Sequence, residues 1–296
     1  MEEEPQPQQQ AVLTGMNAIS VCVISISACL LHSITYVASL YIWNYPHDRN
    51  HPNSIIKRFI SVFIMLFISP VFLYVALDKA ILKEKTFLEI LGLRLDGLLQ
   101  AFTMPLFLTM ILFLGPLYMQ MLNGLFKVYT EPMHWINNLK DLTWIRAHIV
   151  APLSEEFSFR SCMLPLLLQC FRPLAAVIVC PIFFGAAHFH HVLENIKMGV
   201  PWKRAVLVSL FQCSYTTLFG AYSAYLFYRT GHLAATFITH AFCNHMGVPD
   251  IGELMQYQSK QKACVTIVFI IGFVSWCYLL NPLTEPKWYK NEIYFK

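Results

Sequence analysis

The sequence predicts an all-α polytopic membrane protein of about eight transmembrane helices, and three observations carry that reading. Hydrophobic residues make up 56% of the 296-residue chain and charged residues only 13%, against roughly 45–50% and about 25% in ordinary soluble domains. Apolar stretches of about 20 residues, the length that crosses a bilayer core, recur along the whole chain with polar breaks between them. Few charges fall inside those stretches, and the most conspicuous are Glu155, Glu156 and Arg160.

The first stretch, 19–43, follows an acidic, Pro/Gln-rich tail with no basic residue ahead of it. It therefore reads as a span and not as a cleaved signal peptide, and residues 1–18 read as a disordered tail. The second, 58–77, contains Pro70, and the third, 99–119, contains Pro105; membrane helices tolerate prolines, with a kink expected at each. Between them, 88–99 alternates apolar residues with Glu89, Arg94 and Asp96, which suits an interfacial amphipathic helix. The fourth stretch, 146–171, holds the two glutamates and Arg160. The fifth and seventh, 174–190 and 231–247, are short and contain His and Asn, so they are expected to pack against other helices. The sixth, 205–228, and eighth, 263–280, complete the set. Trp43, Trp135, Trp144, Trp202 and Trp288 sit near expected helix ends as an aromatic belt. No internal repeat or linker divides the chain, so residues 19–296 read as a single integral membrane domain with a core at about 146–249.

Composition also limits the chemistry. A formal charge of +4 with scattered basic residues gives no support to a nucleic-acid partner. The nine cysteines include no CxxC pair, and Cys22, Cys29, Cys180 and Cys264 lie inside apolar stretches. They read as small apolar fillers, with a disulfide framework as the alternative.

The glutamates need a reason to be where they are. Unpaired in hydrocarbon, Glu155, Glu156 and Arg160 together cost about 8–10 kcal/mol. Glu156 and Arg160 have the i, i+4 spacing of a helical ion pair, whereas Glu155 has no local partner and is the functional candidate. If helices four to seven alternate across the bilayer, Glu155, His188, His240 and Asn244 all fall toward one aqueous side. On a helical wheel Glu155, Phe159 and Cys162 share a face, as do His240 and Asn244. Two carboxylates, two imidazoles and an amide can then meet in one cavity.

Three chemistries use such a set. No HExxH occurs, so a zincin is excluded, but His188, His190 and His191 with Glu155 or Glu156 form a conceivable metal set. Cys162, with Ser154 and Ser158 nearby, is a conceivable nucleophile. The third reading uses water: Glu155 takes its proton, an imidazole shares that work, and an imidazole with an amide donates to the oxyanion. It uses every residue of the constellation and needs no cofactor and no metal. Two non-enzymatic classes compete, a transporter with an intramembrane proton relay and a scaffold without chemistry. Transporters commonly show internal repeats, and none is visible.

Three ordered blocks carry a resemblance. Pro152-Leu-x-Glu-Glu-x-x-Phe-Arg160 leads to Met163-Leu-Pro165; Phe183-Phe-Gly-x-Ala-His188-Phe-His-His191 follows; Arg229-Thr-Gly-His232 precedes His240-x-Phe-Cys-Asn244-x-Met-Gly-x-Pro249. This pattern, over about residues 151–249, resembles the type II CAAX prenyl proteases, the eukaryotic Ras-converting endopeptidases. Leu91-Gly-Leu-Arg-Leu-Asp-Gly and Leu112-Phe-Leu-Gly-Pro-Leu are similar to that family too. The resemblance implies a conical intramembrane cavity, residence in the endoplasmic reticulum membrane, and removal of the last three residues from farnesylated or geranylgeranylated CAAX proteins such as Ras- and Rho-type GTPases. It implies that Glu155 and His188 activate water, that His240 and Asn244 form the oxyanion site, and that Glu156 and Arg160 support them. Membrane lipid is the other expected partner, since a prenyl chain can enter sideways from the bilayer.

Loop charges lean toward a cytosolic active site. Eleven Lys and Arg lie in loops on the glutamate side against nine on the other. Residues 1–43 hold no Lys or Arg, which favours an outside N-terminus, while the basic C-terminal tail (Lys287, Lys290, Lys296) falls on the opposite side from the active site and argues the other way.

Overall fold

A computed structural model describes residues 18–43 and 49–295, and those residues form an all-helical bundle without strands. The tail expected to be disordered, His47 and Lys296 lie outside the described residues, except that Ala18 already begins the first helix. The long helices are α1 (Ala18–Ser39), α2 (Pro52–Ala76), α3 (Leu98–Leu112), α4 (Leu114–Leu122), α5 (Pro173–Ala187), α6 (His190–Lys197), α7 (Trp202–Thr230), α8 (Leu233–Met246) and α9 (Ser259–Leu283). Between α4 and α5, a run of α and π segments over 142–168 carries the two glutamates.

Among the described residues, five helical stretches are long and apolar enough to cross a membrane, or six if α3 and α4, bent by 71°, count as one span. The chain is therefore an all-α polytopic membrane protein. The two expected spans that fall short of that test are the two richest in catalytic candidates. The 142–168 run is interrupted by π turns and carries Arg146, Glu155, Glu156 and Arg160. Helix α8 has 14 residues, about 21 Å at 1.5 Å per residue, short of a hydrocarbon core of about 30 Å. Both are inner helices: Pro152, Ser154, Glu156 and all of Phe157–Cys162 are buried, as are Leu233, Ala235, Thr236, Thr239 and His240.

Three local expectations are corrected. No amphipathic helix runs over 88–99; a single turn, Phe87–Ile90, is closed by a Thr86/Glu89 capping box, and Gly92 and Gly97 then take φ of 72° and 75°, a left-handed conformation that breaks a helix. Arg94 in that turn donates to the carbonyl oxygens of Thr230, Gly231, Tyr289 and Lys290, tying the end of α7 to the C-terminal segment. The sharp bend of the third stretch lies at Phe113, between α3 and α4, not at Pro105, which sits inside α3. Finally, Cys22 is not a filler. It forms a disulfide with Cys170, with Cα atoms 4.9 Å apart, joining α1 to the end of the 142–168 run across 148 residues. The spacing carried no motif because the partners meet only once the bundle is folded.

That bridge marks one end of the bundle. Gln169 beside it donates to Ser25 and to the carbonyl of Ala76, and it accepts from the N–H of Asp78. The opposite end holds Arg49, Arg58 and Arg146. A disulfide closing so long a loop contributes about 2–4 kcal/mol. Cys22→Ser is expected to lower the unfolding temperature of the detergent-solubilised protein to the value reached by wild type under full reduction; equal melting of variant and oxidised wild type would count against the bridge.

Candidate active site

The site is built on the 142–168 run, and prolines shape it. Residues Arg146–Val150 form a π turn in which the Ala151 N–H bonds back to Arg146. The next residue, Pro152, has no N–H to offer, so the carbonyl of Ala147 is left for another donor. Asn244 supplies it: its Nδ2 donates to Ala147 O at 2.8 Å. This hydrogen bond joins the exposed end of α8 to the turn that precedes Glu155. Asn244 remains exposed, and its amide has a second N–H.

A second π turn, Phe157–Cys162, begins directly after Glu156. Phe159 and Cys162 are buried in the apolar core, while the Glu155 side chain keeps 21% of its surface exposed. Widening the turn rotates the following residues off the face that 3.6-residue periodicity assigns them. Cys162 is thus core packing, and no imidazole contacts it among the described residues. Its neighbours Ser154 and Ser158 are buried as well, hydrogen-bonded to Tyr36 and to Ser69.

Glu156 is a hub. Fully buried, it accepts from His240 Nδ1 at 2.6 Å through Oε1 and from the Ser223 hydroxyl at 2.5 Å through Oε2, and Arg160 Nη1 lies 3.2 Å from Oε1. Arg160 is itself completely buried, with its guanidinium stacked 4.3 Å from the centre of the Phe184 ring. The approach is close enough that α7 must present a glycine there, since a Cβ on Gly220 would lie 2.6 Å from Pro181 and 3.1 Å from Arg160 Nη2.

Because Nδ1 of His240 is held by Glu156, its other nitrogen points onward. Nε2 lies 3.8 Å from Glu155 Oε2, so the imidazole bridges the two carboxylates. Helix α8 places Asn244 one turn beyond His240 on the same side. His188 ends α5, where its Nδ1–H donates to Phe184 O at 2.8 Å and leaves Nε2 as a free acceptor. His188 and His240 share an aromatic neighbour, Phe184, whose ring centre is 4.8 Å from the first and 6.2 Å from the second. The structure thus brings Glu155, Glu156, Arg160 and His240 into direct contact and sets His188 across one ring from them. No hydrogen bond or ion pair joins His188 or Asn244 directly to Glu155 among the described residues.

The metal set suggested by the sequence does not assemble. The group whose donor atoms fall within 4.8 Å of one another is His190, His191 and Glu194, without His188, Glu155 or Glu156. Its carboxylate already faces cations of the chain, with Arg58 at 2.6 Å and Arg49 at 3.6 Å, and it also accepts from Tyr41 and His191. A bound cation there would compete with two guanidiniums.

Comparison with known proteins gives this arrangement a family. A family model for type II CAAX prenyl endopeptidase, Rce1-like, matches residues 134–246. CAAX prenyl protease 2 of Homo sapiens is 39% identical over 292 residues, covering 96% of this chain and 88% of the human protein. The chain belongs to the type II CAAX prenyl endopeptidase family. CAAX prenyl protease 2 of Arabidopsis thaliana is 33% identical over 91% of this chain and 92% of its own length, and that of Saccharomyces cerevisiae 28% identical over 83% and 87%. No solved structure matches. The motif blocks cover about a third of the sequence, but family membership extends over nearly all of it, so α1 and α2, which hold Tyr36 and Ser69 against the carboxylate run, belong to the endopeptidase too.

Residues that sequence reasoning passed over include Ser223 and Glu194. Ser223 sits in an ordinary small-residue stretch of α7 with no local signal. Phe184 stands in the second motif block, and its place as the ring between Arg160, His188 and His240 is visible only in three dimensions. Glu194 had a usable signal: it lies three residues after His191, which is facing distance on a helix.

Proposed function

We propose that this endopeptidase removes the C-terminal tripeptide from farnesylated or geranylgeranylated CAAX proteins, Ras- and Rho-type GTPases among them, by glutamate-activated water. The observation that carries the reading is His240 held between Glu156 at 2.6 Å and Glu155 at 3.8 Å. In the mechanism, Glu155 takes a proton from water with the free Nε2 of His188 sharing the load. The oxygen bonds to the scissile carbonyl carbon following the prenylated cysteine, and charge develops on the carbonyl oxygen. His240 Nε2–H and the second amide N–H of Asn244 donate to that oxyanion. With Nδ1–H already given to Glu156, an imidazole that donates from both nitrogens is the doubly protonated form. When the C–N bond breaks, Glu155 returns its proton to the departing amine, releasing a tripeptide and a new prenylcysteine carboxylate.

The gradient of exposure suits a substrate that is half lipid and half peptide. Glu156 is sealed, Glu155 is partly exposed, and Asn244 is open, so the polar peptide arrives from one end of the bundle. Residues 19–296 act as one membrane protease domain in this reading. Two independent features support a cytosolic active site in the endoplasmic reticulum membrane. A disulfide persists in an oxidising compartment, which favours a lumenal position for the Cys22–Cys170 end. Arg49, Arg58 and Arg146 gather at the opposite end, the basic side expected to face the cytosol.

The test is cleavage of a farnesylated CAAX peptide by purified protein in detergent after exhaustive chelation. Release of the intact tripeptide at an undiminished rate is expected. A dead apo-protein revived by one zinc per chain would replace glutamate chemistry with a metal mechanism, and no cleavage by any preparation would remove the endopeptidase reading.

A further inference from the structure

The prenylated cysteine marks one side of the bond to be cut, and the other side of an uncleaved CAAX protein ends three residues on in a free carboxylate. Such an anion entering a mouth between helices needs a cationic partner, for which the guanidinium fork is the best geometric match. At the end of the bundle where the 142–168 run begins, three guanidiniums gather: Arg49 and Arg58 lie 3.6 and 2.6 Å from Glu194, and Arg146 donates to the Arg49 carbonyl. Among the described residues, Glu194 and Asp141 are the carboxylates whose charge acts on Arg146. Both are occupied: Glu194 by Arg58, Arg49, Tyr41 and His191, and Asp141 in capping the N–H of Thr143 at 2.8 Å.

Arg146 differs from its neighbours. It is half-buried, and its recorded bonds go to neutral oxygens: Nη1 to Arg49 O at 2.9 Å and Nη2 to Asn50 Oδ1 at 3.0 Å. Two of its five N–H donors are thereby used, and among the described residues it forms no ion pair. It begins the same helical run as Glu155, nine residues earlier, which is a rise of about 13 Å at α-helical pitch and less through the π turn. Three extended residues span about 10 Å. The cluster is also linked to the catalytic candidates laterally, because Glu194 bonds His191, whose ring centre lies 5.9 Å from that of His188.

We propose that Arg146, within the Arg49–Arg58–Arg146 cluster, receives the free α-carboxylate of the substrate's last residue and so sets the cut three residues from the end. The assignment rests on the endopeptidase reading above. It makes Arg146 a specificity residue, acting on substrate binding and not on the reacting bond.

The experiment compares one farnesylated peptide made with a C-terminal acid and with a C-terminal amide, on wild type, Arg146→Gln and Arg146→Lys. Wild type is expected to favour the acid through KM by about 10–100-fold, the worth of a charge-assisted hydrogen-bond pair. Arg146→Gln should raise KM for the acid and bring the acid-to-amide ratio toward one, while Arg146→Lys keeps part of the preference. Wild type that treats acid and amide alike would overturn the proposal, as would an Arg146→Gln protein weakened equally toward both, which is the mark of a purely structural tie to the 49–50 loop. If Arg146→Gln fails to fold, Arg49→Gln is read by the same ratio, and the wild-type comparison stands by itself. Wild type that cleaves neither peptide would instead sink the endopeptidase reading, an outcome distinct from cleavage without discrimination.

Discussion

Glu155→Ala is expected to lose essentially all cleavage of a farnesylated CAAX peptide while the protein stays folded and still binds it. The reason is the position of Glu155 at the open edge of an otherwise sealed charge network. Its carboxylate is partly exposed, and its nearest ion-pair partner, His240 Nε2, is 3.8 Å away, so removing it leaves Glu156, Arg160 and His240 in contact with one another. Loss of a general base typically costs about 10²–10⁴-fold in rate. Turnover is measured under single-turnover conditions and binding by competition with the unmodified substrate. Glu155→Gln should be nearly as inactive, because its amide keeps the shape but has no lone pair basic enough to take a proton from water. A folded Glu155→Ala protein with turnover near wild type would transfer the role of base to His188, whose Nε2 is free on the far side of Phe184.

How much of this was legible in the sequence depends on the range over which each feature is encoded. The membrane class and the order of the helices follow from local hydropathy, so α7 and α9 fall within four residues of the expected 205–228 and 263–280, while α2 begins six residues before the expected 58–77. The Glu156–Arg160 spacing is likewise local. Legibility fails where backbone geometry departs from the ideal helix. The π turns at Arg146–Val150 and Phe157–Cys162 shift the register in a way that 3.6-residue periodicity does not encode, and the burial of Cys162 in the core beside a partly exposed Glu155 is not readable from a wheel. It fails again where partners are far apart in sequence. Cys22 and Cys170, Ser223 and Glu156, and Asn244 and Ala147 are separated by between 67 and 148 residues, and nothing in either local stretch announces the other. The sequence reading made Glu155 the functional candidate and Glu156 a supporting residue paired with Arg160; the structure shows that pair and adds His240 and Ser223 to the partners of Glu156.

Glu156→Gln is expected to damage stability and turnover together. The carboxylate is the only acceptor recorded for His240 Nδ1, takes the Ser223 hydroxyl as well, and is the sole anion paired with the fully buried Arg160 among the described residues. Neutralising it strands a guanidinium that no water can reach, and breaking one partner of a buried ion pair costs about 3–5 kcal/mol. It also removes the charged acceptor that holds His240 Nδ1–H, and losing a hydrogen bond to a charged group costs about 1.5–3 kcal/mol, roughly 10–100-fold in turnover. The two losses separate in a double variant. Arg160→Met combined with Glu156→Gln deletes both buried charges, so thermal stability in detergent should recover much of the deficit, whereas turnover should not, because His240 still lacks its carboxylate. Recovery of both would mean that Glu156 acts only by neutralising Arg160, and a Glu156→Gln protein with wild-type melting and turnover would show that the bridge from Glu156 through His240 to Glu155 has no part in the reaction.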